Sequence, residues 1–127
     1  MTSETFLKGR RILVVEDEMM VAMMLQTILE DVGCNVICAG HLEQAQHLAG
    51  VEDVDAAVLD ENLHGKRSYA VADTLAARGI PFIFATGYGE ENLGKLYPGR
   101  RILGKPYWPA DVIAALTAAI STTEDTR

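Results

Sequence analysis

Five short apolar runs, each followed by a stretch of helical periodicity, constrain this chain more than any other feature. The runs are RILVV (11–15), NVICA (35–39), AAVLD (56–60), PFIFA (81–85) and RILG (101–104). Each is continuous rather than alternating and rich in β-branched or aromatic residues, as expected of strands covered on both faces. Helical patterns follow near 19–31, 42–49, 68–78, 90–97 and 109–120. Gly33, Gly50 and Gly79 each follow a helical pattern, where a left-handed cap residue is wanted. Pro109 opens the last helix with its φ already set, and Asp111 suits the positive end of that helix dipole. Strict alternation of strand and helix predicts an α/β fold: a doubly wound, five-stranded parallel sheet with helices on both faces. In such sheets, sites form at the carboxyl ends of the strands, beside a switch in strand order.

The 127 residues suit one domain, and a 49% hydrophobic fraction can fill its core. Residues 10–120 carry the pattern, and 1–9 and 121–127 read as polar termini. No repeat, linker or low-complexity tract interrupts it. The formal net charge of −7 disfavours a nucleic-acid partner, which needs clustered Lys and Arg. No apolar run approaches the roughly 18 residues of a membrane span. The start, MTSETFLKGR, lacks the apolar centre of a signal peptide, so a cytoplasmic location is expected. Cys34 and Cys38 on one strand would lie about 13 Å apart, too far for a disulfide. They read as buried, inert thiols. His41, His47 and His64 show no ligand spacing.

The polar residues at the strand ends carry the chemistry. The first strand delivers Glu16, Asp17 and Glu18, and the third ends on Asp60. The fourth delivers Thr86 and the fifth Lys105, whereas the second ends in Ala39-Gly40. In the order 2-1-3-4-5 the four polar ends are contiguous and the blank strand lies at the edge. Two carboxylates about 5 Å apart repel by roughly 3 kcal/mol at an effective dielectric of 20. Three at one rim therefore take up protons or recruit a cation. An all-oxygen site with few protein ligands suits Mg²⁺. Lys105 and the Thr86 hydroxyl complete a pocket for a phosphoryl group, with Asp60 at its centre as the nucleophile.

This pattern resembles the receiver domain of bacterial two-component response regulators. The resemblance covers residues 10–120 and rests on Glu16-Asp17, Asp60, Thr86 and Lys105-Pro106, in order and each after its own strand. The stretch FATGYG is further similar to a receiver subgroup marked by Phe-Ala-Thr-Gly. The resemblance implies a flavodoxin-like three-layer sandwich. It implies that Asp60 accepts phosphate from a phosphohistidine on a sensor histidine kinase or a histidine phosphotransfer protein. Mg²⁺ would be held by Asp17, Asp60 and the Asn62 carbonyl, with Glu16 acting through water. Thr86 and Lys105 would contact the phosphoryl oxygens, and the bond to Pro106 would be cis. The activity expected is phosphoryl acceptance and self-dephosphorylation, not enzymatic turnover of a substrate. No output segment is read after residue 120, so the expectation is a stand-alone receiver or one domain of a larger chain. A stand-alone receiver would bind a downstream protein or serve as an intermediate or sink in a phosphorelay, with no nucleic acid or membrane partner. The pattern does not set the oligomeric state.

The chain departs from the family in two places. His64-Gly65 stands where a proline is common four residues after the phosphoacceptor. Ile102 stands where the switching aromatic is usual; Tyr88, Tyr107 and Trp108 lie near enough to substitute. Glu61 reads as solvent-exposed, and Glu18 as a residue of the first helical turn. In the first helix Val21, Leu25, Ile28 and Val32 form one stripe with Met24 at its edge. Met19 and Met23 fall opposite, with Met20 between. Adaptable methionines on an open face suit docking of the phosphodonor. Two other classes fit less well. An aspartyl-nucleophile phosphohydrolase would carry a second Asp where Asn62 stands. A flavodoxin-type nucleotide binder would need a Ser/Thr/Gly-rich loop where EDEMM stands.

Overall fold

The structure, a computed structural model, describes residues 6–86, 101–104 and 108–125. Strands β1 (Arg11–Val15), β2 (Asn35–Ala39), β3 (Ala56–Asp60), β6 (Phe82–Thr86) and β7 (Arg101–Gly104) form one sheet. Its order is β2-β1-β3-β6-β7, with every neighbouring pair parallel. This is the expected 2-1-3-4-5 order. Strands β4 (Asn62–Leu63) and β5 (Lys66–Arg67) form a separate antiparallel hairpin that the apolar pattern did not announce. The helices are α1 (Met19–Asp31), α2 (Leu42–Val51), α3 (Tyr69–Ala77) and α4 (Pro109–Asp125). The helix expected near 90–97 lies outside the described residues. No helix among them is long and apolar enough to cross a membrane.

Alternation along the buried strands divides the core in two. Ile12, Val14, Ala56, Val58, Ile83 and Ala85 meet Leu25, Ile28 and Leu29 of α1 and Val112, Leu116 and Ile120 of α4. Leu13, Val15, Ala57, Leu59, Phe82 and Phe84 face the other way, onto Ala45 and Ala49 of α2 and Val71, Ala72 and Leu75 of α3. The result is a three-layer sandwich. Each large buried side chain contributes about 1.5–3 kcal/mol, so the sheet is a rigid platform for what its ends carry. Leu7, from the stretch read as polar, is also fully buried in the first of these clusters.

Several local expectations need correction. Gly33 and Gly79 take positive φ at helix ends, but Gly50 lies inside α2, which continues to Val51. The fourth strand runs one residue later than its apolar run, so Thr86 is its last residue. Helix α4 extends past 120 to Asp125, beyond its apolar stripe. Met24 is 38% exposed and adds little to the core, whereas Leu29 is fully buried beside Leu25 and Ile28. Strand β2 begins at Asn35, which leaves Cys34 in the preceding turn.

Cys34 is buried and its thiol donates to the Leu7 carbonyl. Burial, helped by the negative charge of Asp55, pushes this thiol up to about 11. Cys38 is half-buried and shifted in the same direction, first by burial and then by Glu30. The folded Cys34 stays neutral where an unfolded thiol ionises, near 9.0. Its contribution to stability is therefore whole below pH 9 and fades as pH rises toward 11. At pH 8, modification of Cys34 by a disulfide reagent should be at least about tenfold slower in the native protein than in denaturant. Time-resolved thiol titration with mass-spectrometric site assignment checks this.

Candidate functional site

The parallel register brings the carboxyl ends of β1 and β3 side by side, pairing Val15 with Leu59. The residues that follow them converge. Glu16, Asp17 and Asp60 each present a carboxylate oxygen, and these oxygens lie within 4.8 Å of one another. Glu16 and Asp60 are buried and Asp17 is partly open. The Glu16 amide donates to the Ala39 carbonyl, and the Glu18 amide donates to Glu16 Oε2. Glu18 itself is the residue before α1 and takes no part in the carboxylate group.

Burial alone would push the Asp17 carboxyl up. The His64 backbone amide, 2.9 Å from Asp17 Oδ2, and the backbone amide of Asp17 itself outweigh it. Asp17 is held below the ordinary carboxylate value and is ionised at neutral pH. Three clustered carboxylate oxygens on a fixed frame form an all-oxygen donor set that fits a hard divalent cation.

Asp60 is anchored from two directions. The Asn62 amide donates to Asp60 Oδ1, and buried Ser68 Oγ donates to the Asp60 carbonyl at 2.7 Å. Ser68 stands at the start of α3, yet its hydroxyl makes no capping bond. It serves the Asp60 and Glu61 carbonyls instead. The helical pattern at 68–78 takes in Ser68, but these partners are not visible in the sequence. The Asn62 side chain accepts from the Gly65 amide at 2.7 Å. His64 and Gly65, with φ of 51° and 84°, form the tight turn of the β4–β5 hairpin. Positive φ at both central residues is the turn that matches strand twist. The proline-less loop is thus a hairpin, tied to the site by the contact between His64 and Asp17.

Glu61 is buried, not solvent-exposed as expected. Its amide donates to the Ala85 carbonyl and extends the β3–β6 ladder by one residue. Alternation then sends its side chain to the face opposite Asp60, toward α3. There the Tyr69 hydroxyl donates to Glu61 Oε2 at 2.7 Å, and Thr86 Oγ1 donates to Glu61 Oε1 at 3.3 Å. Arg67 lies 3.5 Å from Glu61 Oε2. Thr86 is buried at the end of β6, one residue beyond Ala85, the neighbour of Asp60. Lys105, Pro106, Tyr88 and Tyr107 lie outside the described residues. Ile102 is half-buried against the α2–α3 side of the sheet, and Trp108 is exposed. Met19, Met20 and Met23 are 77%, 80% and 57% exposed, on the first turns of the helix that follows the acidic pair.

Residues 12–117 match the response regulator receiver domain family. The chain belongs to that family. It is 33% identical over 114 residues to the phyllosphere-induced regulator PhyR of Methylorubrum extorquens, covering 86% of this chain and 43% of that protein. It is 32% identical over 111 residues to an uncharacterized transcriptional regulatory protein, YbdJ, of Bacillus subtilis, covering 84% and 49%. The chain thus spans about half the length of these relatives. Among solved structures it resembles SdrG from Sphingomonas melonis, with a TM-score of 0.77 and 37% identity over 95% of this chain and 99% of that one. It also resembles the receiver domain of the sensor histidine kinase PA1611 from Pseudomonas aeruginosa. There the TM-score is 0.77 and the identity 25%, over 89% and 98% of the two chains. That structure has a magnesium ion coordinated in its active-site cleft. As a receiver domain, the chain is a phosphoryl-accepting signalling module of two-component systems.

Replacing Ser68 with Ala leaves the Asp60 carbonyl short of its buried donor. Ser68→Ala should destabilise the fold by about 1–2 kcal/mol, read as a lowered midpoint of urea unfolding at unchanged slope.

Proposed function

We propose that Asp60 takes the phosphoryl group from a phosphohistidine on a sensor histidine kinase or histidine phosphotransfer protein. The observation that supports this most directly is the group of three carboxylates within 4.8 Å at adjacent strand ends. An Asp60 oxygen forms the new P–O bond as the P–N bond breaks, and the proton of the leaving group stays with the imidazole. The group is later lost to water. Asp60 is preset for this role by the Asn62 amide on one oxygen and by Ser68 on its carbonyl. Thr86 and Lys105 would bind the phosphoryl oxygens, with a cis bond before Pro106 setting the lysine's direction. Asp17, Asp60 and the Asn62 carbonyl would hold Mg²⁺, with Glu16 acting through water, and the ion would screen the charge between nucleophile and phosphate.

In this reading the chain catalyses only its own phosphorylation and dephosphorylation. It acts in the cytoplasm and hands the signal to a protein target. The exposed methionines Met19, Met20 and Met23, beside the acidic group, would be where the phosphodonor docks.

With Mg²⁺ and phosphoramidate, intact-mass measurement should show one added phosphoryl group, absent in Asp60→Asn. Multiple turnover of a phosphoester by the wild-type chain would overturn the reading in favour of a phosphohydrolase. Lysine at both Met19 and Met23 should slow transfer from a phosphohistidine donor by about tenfold, the scale of losing one or two interface anchors. Phosphorylation by phosphoramidate should be unchanged, and equal donor rates in both proteins would remove the docking face.

A further inference from the structure

Glu61 is a buried carboxylate that the chemistry above does not use. It follows Asp60 in the chain, but the strand backbone separates the two side chains. Its oxygens are not part of the three-carboxylate group. A carboxylate this deep is costly unless its lone pairs are answered. Among the described residues three groups answer them: Thr86 on one oxygen, with Tyr69 and Arg67 on the other. These partners come from different elements. Thr86 ends β6 beside the phosphoacceptor, Arg67 closes the β4–β5 hairpin, and Tyr69 begins α3. Tyr69 also packs edge-on against Phe84, with ring centres 6.3 Å apart.

We propose that Glu61 is a positioning residue that reads the state of Asp60 through Thr86 and passes it to Tyr69 and Arg67. The inference rests on Asp60 being the phosphoacceptor. A threonine hydroxyl has one proton to donate. At rest it goes to Glu61 Oε1. A phosphoryl group on Asp60 brings new anionic oxygens to the same rim, and charge-assisted bonds to such oxygens are the stronger kind. Thr86 then turns to the phosphoryl group, and Glu61 loses a partner inside the protein. The added negative charge nearby repels Glu61 in the same direction. Glu61 shifts toward Arg67 and Tyr69, and the hairpin and the first turn of α3 move with it. In this chain Ile102 occupies the place of the usual switching ring. Tyr69 supplies a ring packed edge-on against Phe84, with its hydroxyl on the relay.

The test uses the full chain with Mg²⁺ and beryllofluoride, which mimics a phosphoryl group on a carboxylate. Fluorine NMR reports whether the mimic is bound, and the Tyr69 ring signals, assigned by Tyr69→Phe, report the relay. In the wild type, saturation with the mimic should shift the Tyr69 signals. In Glu61→Ala that shift should be lost while bound mimic is still seen, and Glu61→Gln, which keeps the length and an acceptor, should restore it at least in part. Bound mimic with unmoved Tyr69 signals in the wild type overturns the relay alone and needs no variant. An equal Tyr69 shift in Glu61→Ala overturns it too. Absence of bound mimic in the wild type removes the phosphoacceptor reading, and the relay with it.

Discussion

Three carboxylates share one rim of this molecule, and the rest of the structure is what makes that tolerable. Each close pair repels by a few kcal/mol at the effective dielectric of a protein edge. Left on a flexible loop they would move apart. Here Glu16 and Asp17 follow one strand and Asp60 ends its neighbour, and the strands are locked in register by their ladder and two apolar layers. The repulsion is held in place and becomes affinity for a cation. Local donors moderate it further: the His64 amide on Asp17, the Glu18 amide on Glu16 and the Asn62 amide on Asp60.

The same frame separates two polar groups that follow each other in the chain. Successive residues of a strand point to opposite faces. Asp60 is directed to the cation rim, and Glu61 to the α3 side. One backbone step thus connects the three-carboxylate rim with a buried polar group beside Tyr69 and Phe84. The hairpin built on His64 and Gly65 belongs to both, because it touches Asp17 at its turn and brings Arg67 to Glu61 at its end.

Much of the site was legible without coordinates. Asp17, Asp60 and Thr86 each stand at the end of an apolar run, and a run's end is a local property. Given parallel pairing, adjacent strand ends must converge. Glu61 was misread because a charged residue after a strand is usually solvated. Its burial depends on the Ala85 carbonyl, the Tyr69 hydroxyl and the Thr86 hydroxyl, all on other elements of the fold. Gly50 was misread for a related reason. Its flexibility permits a helix stop, but the packing of Ala45 and Ala49 against the sheet carries α2 on to Val51.

By itself, then, the order of residues determined the strands and most of the helices, the parallel sheet and which acids stand at its carboxyl edge. Periodicity and chain breaks are written into neighbouring residues. Only the tertiary structure decided that Ser68 secures Asp60 rather than capping its helix, that the loop after Asp60 is a hairpin, and that Glu61 is enclosed by Thr86, Tyr69 and Arg67. Those outcomes depend on partners brought close by folding, and a buried polar group's role is set by which donors surround it.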